Sequence, residues 1–141
     1  MSGLILTLAP GESFIVNGVV LENGDRPSRI RVKDRDARVL RCSDAMHPKD
    51  VDTAVKQVYY AVQLLITGDL EVSNALPAIL RECDALEDAF SDIDSVIIPK
   101  LKGLLKQGSF YSALNHLKGV IVLEHKLLNH ASSPSESRQV A

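Results

Sequence analysis

Side-chain periodicity changes once along this chain, after Pro48, and that change leaves few architectures open to it. Upstream, apolar and polar residues alternate in short runs broken by tight-turn residues, the pattern of strands that show one face to a core. Downstream, apolar residues recur every three or four positions, the repeat of an amphipathic helix. Strands first and helices afterwards predict an α+β protein with an antiparallel sheet, because parallel strands need a long crossover between them.

LILTL at 4–8 reads as the first strand, and Pro10-Gly11 turns the chain toward FIV at 14–16. Asn17-Gly18 then separates FIV from VVLE. Both residues tolerate the positive φ of a type I′ turn, so a two-residue hairpin is expected there. ENGD at 22–25 punctuates the chain again, and SRIRV and ARVL complete a small N-terminal antiparallel β unit of four or five strands. A unit of this size has little interior and must pack on the helices or on a second copy of itself.

Beyond Pro48, Asp50 reads as the cap of a helix carrying Val51, Val55, Val58, Tyr59, Val62, Leu65 and Ile66, stopped by Gly68. A second helix begins near Ser73, with Pro77 close to its start, and runs to Phe90. Ser95 is read as the cap of a third helix whose first turn holds Pro99 and which ends at Gly108; Ser109 opens the fourth. Short loops between them predict an antiparallel four-helix bundle. The expected organisation is a β-rich, basic-faced unit over 1–46, a helical domain over 47–129 and a flexible tail over 130–141, where the sequence is polar and aperiodic.

The net charge of -2 selects no partner, but its distribution is uneven. Residues 1–42 hold seven Lys/Arg against five Asp/Glu, and residues 43–141 hold nine against thirteen. RIRVKDRDARVLR at 29–41 alone contains Arg29, Arg31, Lys33, Arg35, Arg38 and Arg41. Strand alternation puts Ile30 and Val32 on one side and Arg29, Arg31 and Lys33 on the other. Spaced cations contact successive phosphates and release counterions, so all six are candidate RNA-binding residues. A solvated or internally paired face is the plainer use of the same run, since Asp34 and Asp36 partly neutralise it and Phe14 is the only aromatic residue of the β region.

Tyr59-Tyr60 and Phe110-Tyr111 are adjacent aromatic pairs whose members point about 100° apart on a helix. These four residues are the candidates for a protein-binding surface, with packing between helices as the simpler use. Catalytic patterns are missing. The four histidines, His47, His116, His125 and His130, have no zinc-motif spacing, PGES lacks the lysine of a phosphate loop, and no serine stands in GxSxG. The expectation is a non-enzyme with no cofactor and no metal. Cys42 and Cys83 form no CxxC, the opening apolar run lacks the basic flank of a secretory signal, and no run approaches roughly 18 apolar residues. A cytoplasmic protein with no membrane partner is therefore expected.

LTLAPGESFIVNGVVLENGDRPSRIRV, ARVLR, DTAVKQVYYAVQLL and QGSFYSALNHLKGVIVLE follow one another in the order that resembles the FlbT family of flagellar biosynthesis regulators, over residues 4–128. The resemblance implies post-transcriptional control of flagellin: binding to the 5′ untranslated leader of flagellin mRNA, with repression of translation or promotion of decay. It transfers no catalytic residue set, so the basic residues above remain the RNA candidates. The competing reading is a helical adaptor that binds flagellin or another flagellar regulator and acts on the message indirectly. LILT, GES and ARVLR are also similar, over about 40 residues, to the small RNA-binding proteins of the carbon storage regulator family. That likeness puts Arg41 at the position that helps read RNA beside a partner's first strand, and a homo-oligomer through the β unit is a further candidate arrangement that the likeness does not itself transfer.

Overall fold

The computed structural model describes residues 4–34 and 36–140, with side chains through Asn129. Arg35, and the side chains of the expected tail from residue 130, lie outside the described residues. Five strands come first: β1 (Leu4–Leu8), β2 (Ser13–Val16), β3 (Val19–Glu22), β4 (Ser28–Val32) and β5 (Val39–Arg41). Two short 3-10 turns lead to α1 (Ala54–Thr67), α2 (Val72–Phe90), α3 (Ile97–Lys106) and α4 (Phe110–Val140). The chain is α+β, as its periodicity predicts.

The strands form two antiparallel sheets, β1-β4 and β3-β2-β5. Asn17 (φ 51°) and Gly18 (φ 84°) close the β2–β3 hairpin with the positive φ pair of a type I′ turn. At the other end, Asn23 ties the two loops together. Its Nδ2 donates to the carbonyls of Ala9 (2.8 Å) and Arg26 (2.9 Å), and its Oδ1 accepts from Ser28 Oγ. Leu6, Leu8, Phe14 and Val39 are buried between the sheets.

In the helical part, α1 touches α2 and α4, and α3 touches the same two, so the four helices close into a bundle. Two helix starts differ from the sequence reading. Thr53, not Asp50, caps α1, its Oγ1 accepting from Lys56 N at 3.2 Å, because Pro48 begins a 3-10 turn that takes up Asp50 and leaves Val51 outside the helix. Asp94, not Ser95, serves the start of α3: its Oδ1 accepts from the amides of Val96 (3.0 Å) and Ile97 (3.1 Å). Pro99 falls in the first turn of α3, where its missing N–H has no intrahelical partner to lose. Pro77, at the sixth position of α2, does remove a bond, but the carbonyl it leaves belongs to exposed Ser73 and is open to water. Gly68 and Gly108 end α1 and the α3 segment with φ of 85° and 77°.

One strand joins the halves. On β5, Val39 faces the core between the sheets while its neighbour Leu40 is buried in the bundle core, an alternation that puts β5 between both interiors. Polar side chains fix the chain on either side. Tyr111 Oη of α4 accepts from Val39 N at 2.8 Å and donates to Val39 O. Gln63 Oε1 accepts from Met46 N at 2.6 Å while its Nε2 donates to Met46 O at 3.2 Å. Tyr59 Oη donates to Asp44 O at 2.7 Å, and Lys118 Nζ lies 2.6 Å from Asp44 Oδ1. Each of these satisfies backbone or charge that would otherwise be left without a partner near a buried joint.

Candidate nucleic-acid interface

Pairing of β1 with β4 sets Thr7 opposite Arg29 and Ile5 opposite Arg31. On β4 burial alternates, with Ser28, Ile30 and Val32 half-buried and Arg29 and Arg31 exposed, so the two guanidinium groups share the outer face of this ribbon. Strand geometry spaces their backbones by about 6.6 Å. Ile5, 43% exposed, faces Arg31 across the strand pair, and Ile5, Arg29, Ile30 and Arg31 line a shallow recess of about 250 Å³. Lys33, just beyond the end of β4, is exposed and continues the alternation. No ion pair among the described residues engages Arg29, Arg31 or Lys33.

The remaining basic candidates stand elsewhere. Arg41 Nη1 pairs with Glu12 Oε2 at 2.5 Å and its Nη2 donates to Thr7 O at 2.9 Å. The N–H of Ala9, 2.9 Å from Glu12 Oε1, and the Arg41 guanidinium hold the Glu12 carboxyl below its usual range. Arg38 lies over Gly68, where its side chain occupies the place a Cβ would take, so it packs on the C-terminal end of α1 rather than joining Arg29 and Arg31. Carbonyls crowd that helix end, and a cation there is favoured by the helix dipole. Arg26 is a basic residue that alternation could not find. It is exposed in the loop leading into β4, and Pro27 interrupts the strand pattern before it reaches position 26.

Of the four aromatic candidates for a protein surface, Tyr59 is 4% exposed and belongs to the bundle core, and burial beside Asp44 pushes its hydroxyl up to about 12. Tyr111 is 39% exposed, but its hydroxyl is engaged by Val39, and burial of that group raises its pKa against the opposing effect of the hydrogen bond. Phe110 packs against the bundle core and is half-buried, as is Tyr60. These four residues therefore do not make one continuous exposed patch.

The family model described as flagellar protein FlbT matches residues 4–128, which covers both sheets and the bundle. The chain belongs to the FlbT family. A probable flagellum biosynthesis repressor protein FlbT of Caulobacter sp. (strain K31) is 39% identical to it over 139 residues, covering 92% of this chain and 98% of the relative. The flagellum biosynthesis repressor protein FlbT of Caulobacter vibrioides (strain CB 15) is 29% identical over 140 residues, with 92% of each chain covered. In Bradyrhizobium diazoefficiens, the probable flagellum biosynthesis repressor protein FlbT 1 is 29% identical over 127 residues, covering 88% of this chain and 84% of its own. No solved structure matches the fold. Among the described residues of this FlbT family member, no helix is long and apolar enough to cross a membrane.

Proposed function

We propose that this FlbT family protein represses flagellar biosynthesis by binding the 5′ untranslated leader of flagellin mRNA through the outer face of β1 and β4. The observation that carries the reading is the pair Arg29 and Arg31, exposed on one face of β4 with exposed Ile5 across the strand pair from Arg31 and with no carboxylate partner among the described residues. Two cations at strand spacing suit consecutive phosphates, and exposed Ile5 beside Arg31 offers an apolar contact for the face of an unpaired base. Lys33 and Arg26 extend the positive field along the same stretch of chain, whereas Arg38 and Arg41 contribute to the fold of the β unit. Occupation of the leader then blocks ribosome entry or presents the message to nucleases. The names of the relatives, flagellum biosynthesis repressors, support the direction of control.

Labelled flagellin leader and a scrambled RNA titrated across a salt series test this reading. The R29A/R31A variant is expected to lose tenfold or more in affinity for the leader, and its log-log salt slope to fall by about 1.4, two single-strand phosphate contacts' worth. Unchanged affinity and slope in a folded double variant would remove this face from contention. Tight binding of unassembled flagellin without any leader binding would replace it with the adaptor reading, acting from a surface that does not include buried Tyr59.

A further inference from the structure

β3 is an edge strand that the fold leaves unfinished. Among the described residues its only partner is β2, and all four of its residues are exposed, with Val19 58%, Val20 64% and Leu21 42% accessible. Three consecutive large apolar residues at a sheet edge are what folded proteins ordinarily blunt with lysine, proline or a bulge, and none of these is present between Val19 and Leu21.

The hydrogen-bond phase of the hairpin says which groups face outward. Asn23 N donates to Glu12 O at 2.8 Å, so the facing pair Glu12/Asn23 is hydrogen-bonded. Antiparallel pairs alternate, and the register Ser13↔Glu22, Phe14↔Leu21, Ile15↔Val20, Val16↔Val19 then makes Phe14/Leu21 and Val16/Val19 bonded pairs as well. Val19 and Leu21 therefore spend their N–H and C=O groups on β2, and Val20 and Glu22 aim theirs away from the sheet.

We propose that β3 pairs antiparallel with β3 of a second copy about a two-fold axis through Val20, joining two three-stranded sheets into one of six strands. In that register Val20 meets Val20 of the other copy as a hydrogen-bonded pair, and Val19 stands beside the other copy's Leu21 on the opposite face. All three exposed apolar side chains of each copy are covered by those of the other. Charge agrees with the register, because Glu22, the one charged residue of β3, falls opposite Gly18 and meets no like charge. The contact is isologous, so it closes at two copies instead of growing into a fibre. Strands of four residues cover far less than the ~1,600 Å² of a standard interface, so the association is reversible and concentration-dependent.

Sedimentation velocity over a wide concentration range tests this with the full chain. Wild type is expected to pass from monomer to dimer, and Val20→Lys, which sets two ammonium groups against each other on the edge, to raise the dissociation constant at least tenfold with an unchanged circular dichroism spectrum. Because a lysine at an exposed edge position can also alter folding, a second variant carries the claim independently. Bonded antiparallel residues have Cα atoms about 5.5 Å apart, within disulfide reach, so Val20→Cys is expected to oxidise to a covalent dimer while Val72→Cys, exposed on α2, is not. A wild type that stays monomeric throughout, equal dimerisation of V20K, or equal cross-linking of the two cysteine variants would overturn the proposal.

Discussion

Among the described residues, the bundle closes around eighteen buried apolar side chains and the β unit around four. With so little apolar area, the β unit cannot offset the entropy of ordering its strands by burial alone. Its order comes from hydrogen bonds placed at particular atoms: Asn23 at the loop end, Asn17 Oδ1 accepting from Arg38 N, Arg41 on Glu12 and Thr7, and Tyr111 on Val39. The bundle is thus held by volume and the β unit by partnership. A division of this kind suits a binding module, since strands that are not needed for burial on their outer side leave Arg29 and Arg31 without an ion-pair partner among the described residues.

Removing volume from the bundle tests the first half of that contrast and has the largest expected effect. Leu101 of α3 is fully buried, and Leu101→Ala is expected to cost about 2–5 kcal/mol in denaturant unfolding. Because Leu40 carries β5 into the bundle core, the amides of β2 and β5 should lose protection in the same transition. Native-like exchange in the strands after the helices have melted would break the comparison, since it would make the β unit self-sufficient.

Removing one oxygen that the bundle lends to the β unit tests the second half. Tyr111→Phe keeps the ring and leaves Val39, 1% exposed, with its N–H and C=O lacking their side-chain partner. The expected loss is about 1–3 kcal/mol, with faster hydrogen exchange at Val39 than at any bundle amide. Tyr60→Phe removes a hydroxyl with no such duty from a half-buried ring and is expected to stay within about 0.5 kcal/mol. Equal effects from the two tyrosines would mean that the Val39 contact contributes nothing to holding the sheets on the bundle.

Where the halves meet through Arg38, backbone and side chain can be told apart. A Cβ on Gly68, at φ 85°, would lie 2.5 to 2.6 Å from the Arg38 side chain. Arg38 is flexible and exposed and can swing aside, so the left-handed backbone sets the cost of Gly68→Ala at about 1–2 kcal/mol. In an R38A background the same substitution is expected to cost nearly the same, by thermal or denaturant unfolding. A cost that disappears there would assign Gly68 to the contact instead.

The contrast between halves also marks what the sequence could reveal. Features set by near neighbours were legible: the Asn17-Gly18 turn, the outward Arg29 and Arg31, the stops at Gly68 and Gly108, and the helical runs. Helix starts slipped by one to three residues because Thr53 and Asp94 compete with Asp50 and Ser95 for the same orphan amides, and only the path of the chain decides between them. The division of the strands into two sheets, the Glu12–Arg41 pair 29 residues apart and the Tyr111–Val39 bridge 72 apart depend on long-range pairing that carries no local signal. That is why Arg41 and Tyr111, which look like surface residues in one dimension, turn out to have intramolecular duties.

The smallest expected effect is a pH dependence confined to the β unit. Glu12 has its pKa lowered from 4.5 by the Ala9 amide and by Arg41. Above 4.5 the carboxylate is ionised in both folded and unfolded chains, and its contribution to stability is fully present. As pH falls below 4.5 the unfolded chain takes up the proton first, so the folded state loses ground until the lowered native value is passed and the contribution is gone. Glu12→Gln keeps an acceptor for Ala9 N–H but does not titrate, so it is expected to flatten this acid limb while leaving bundle stability untouched. Amide chemical shifts of Ala9 and of β2 followed downward from neutrality in wild type and E12Q measure it. Arg41 ties Glu12 to β1 and β5 at once, so the wild-type titration should register on strands of both sheets and on no helix; a curve shared by α1 or α3 would mean that the acid response belongs to the bundle and that the two halves are not separately held.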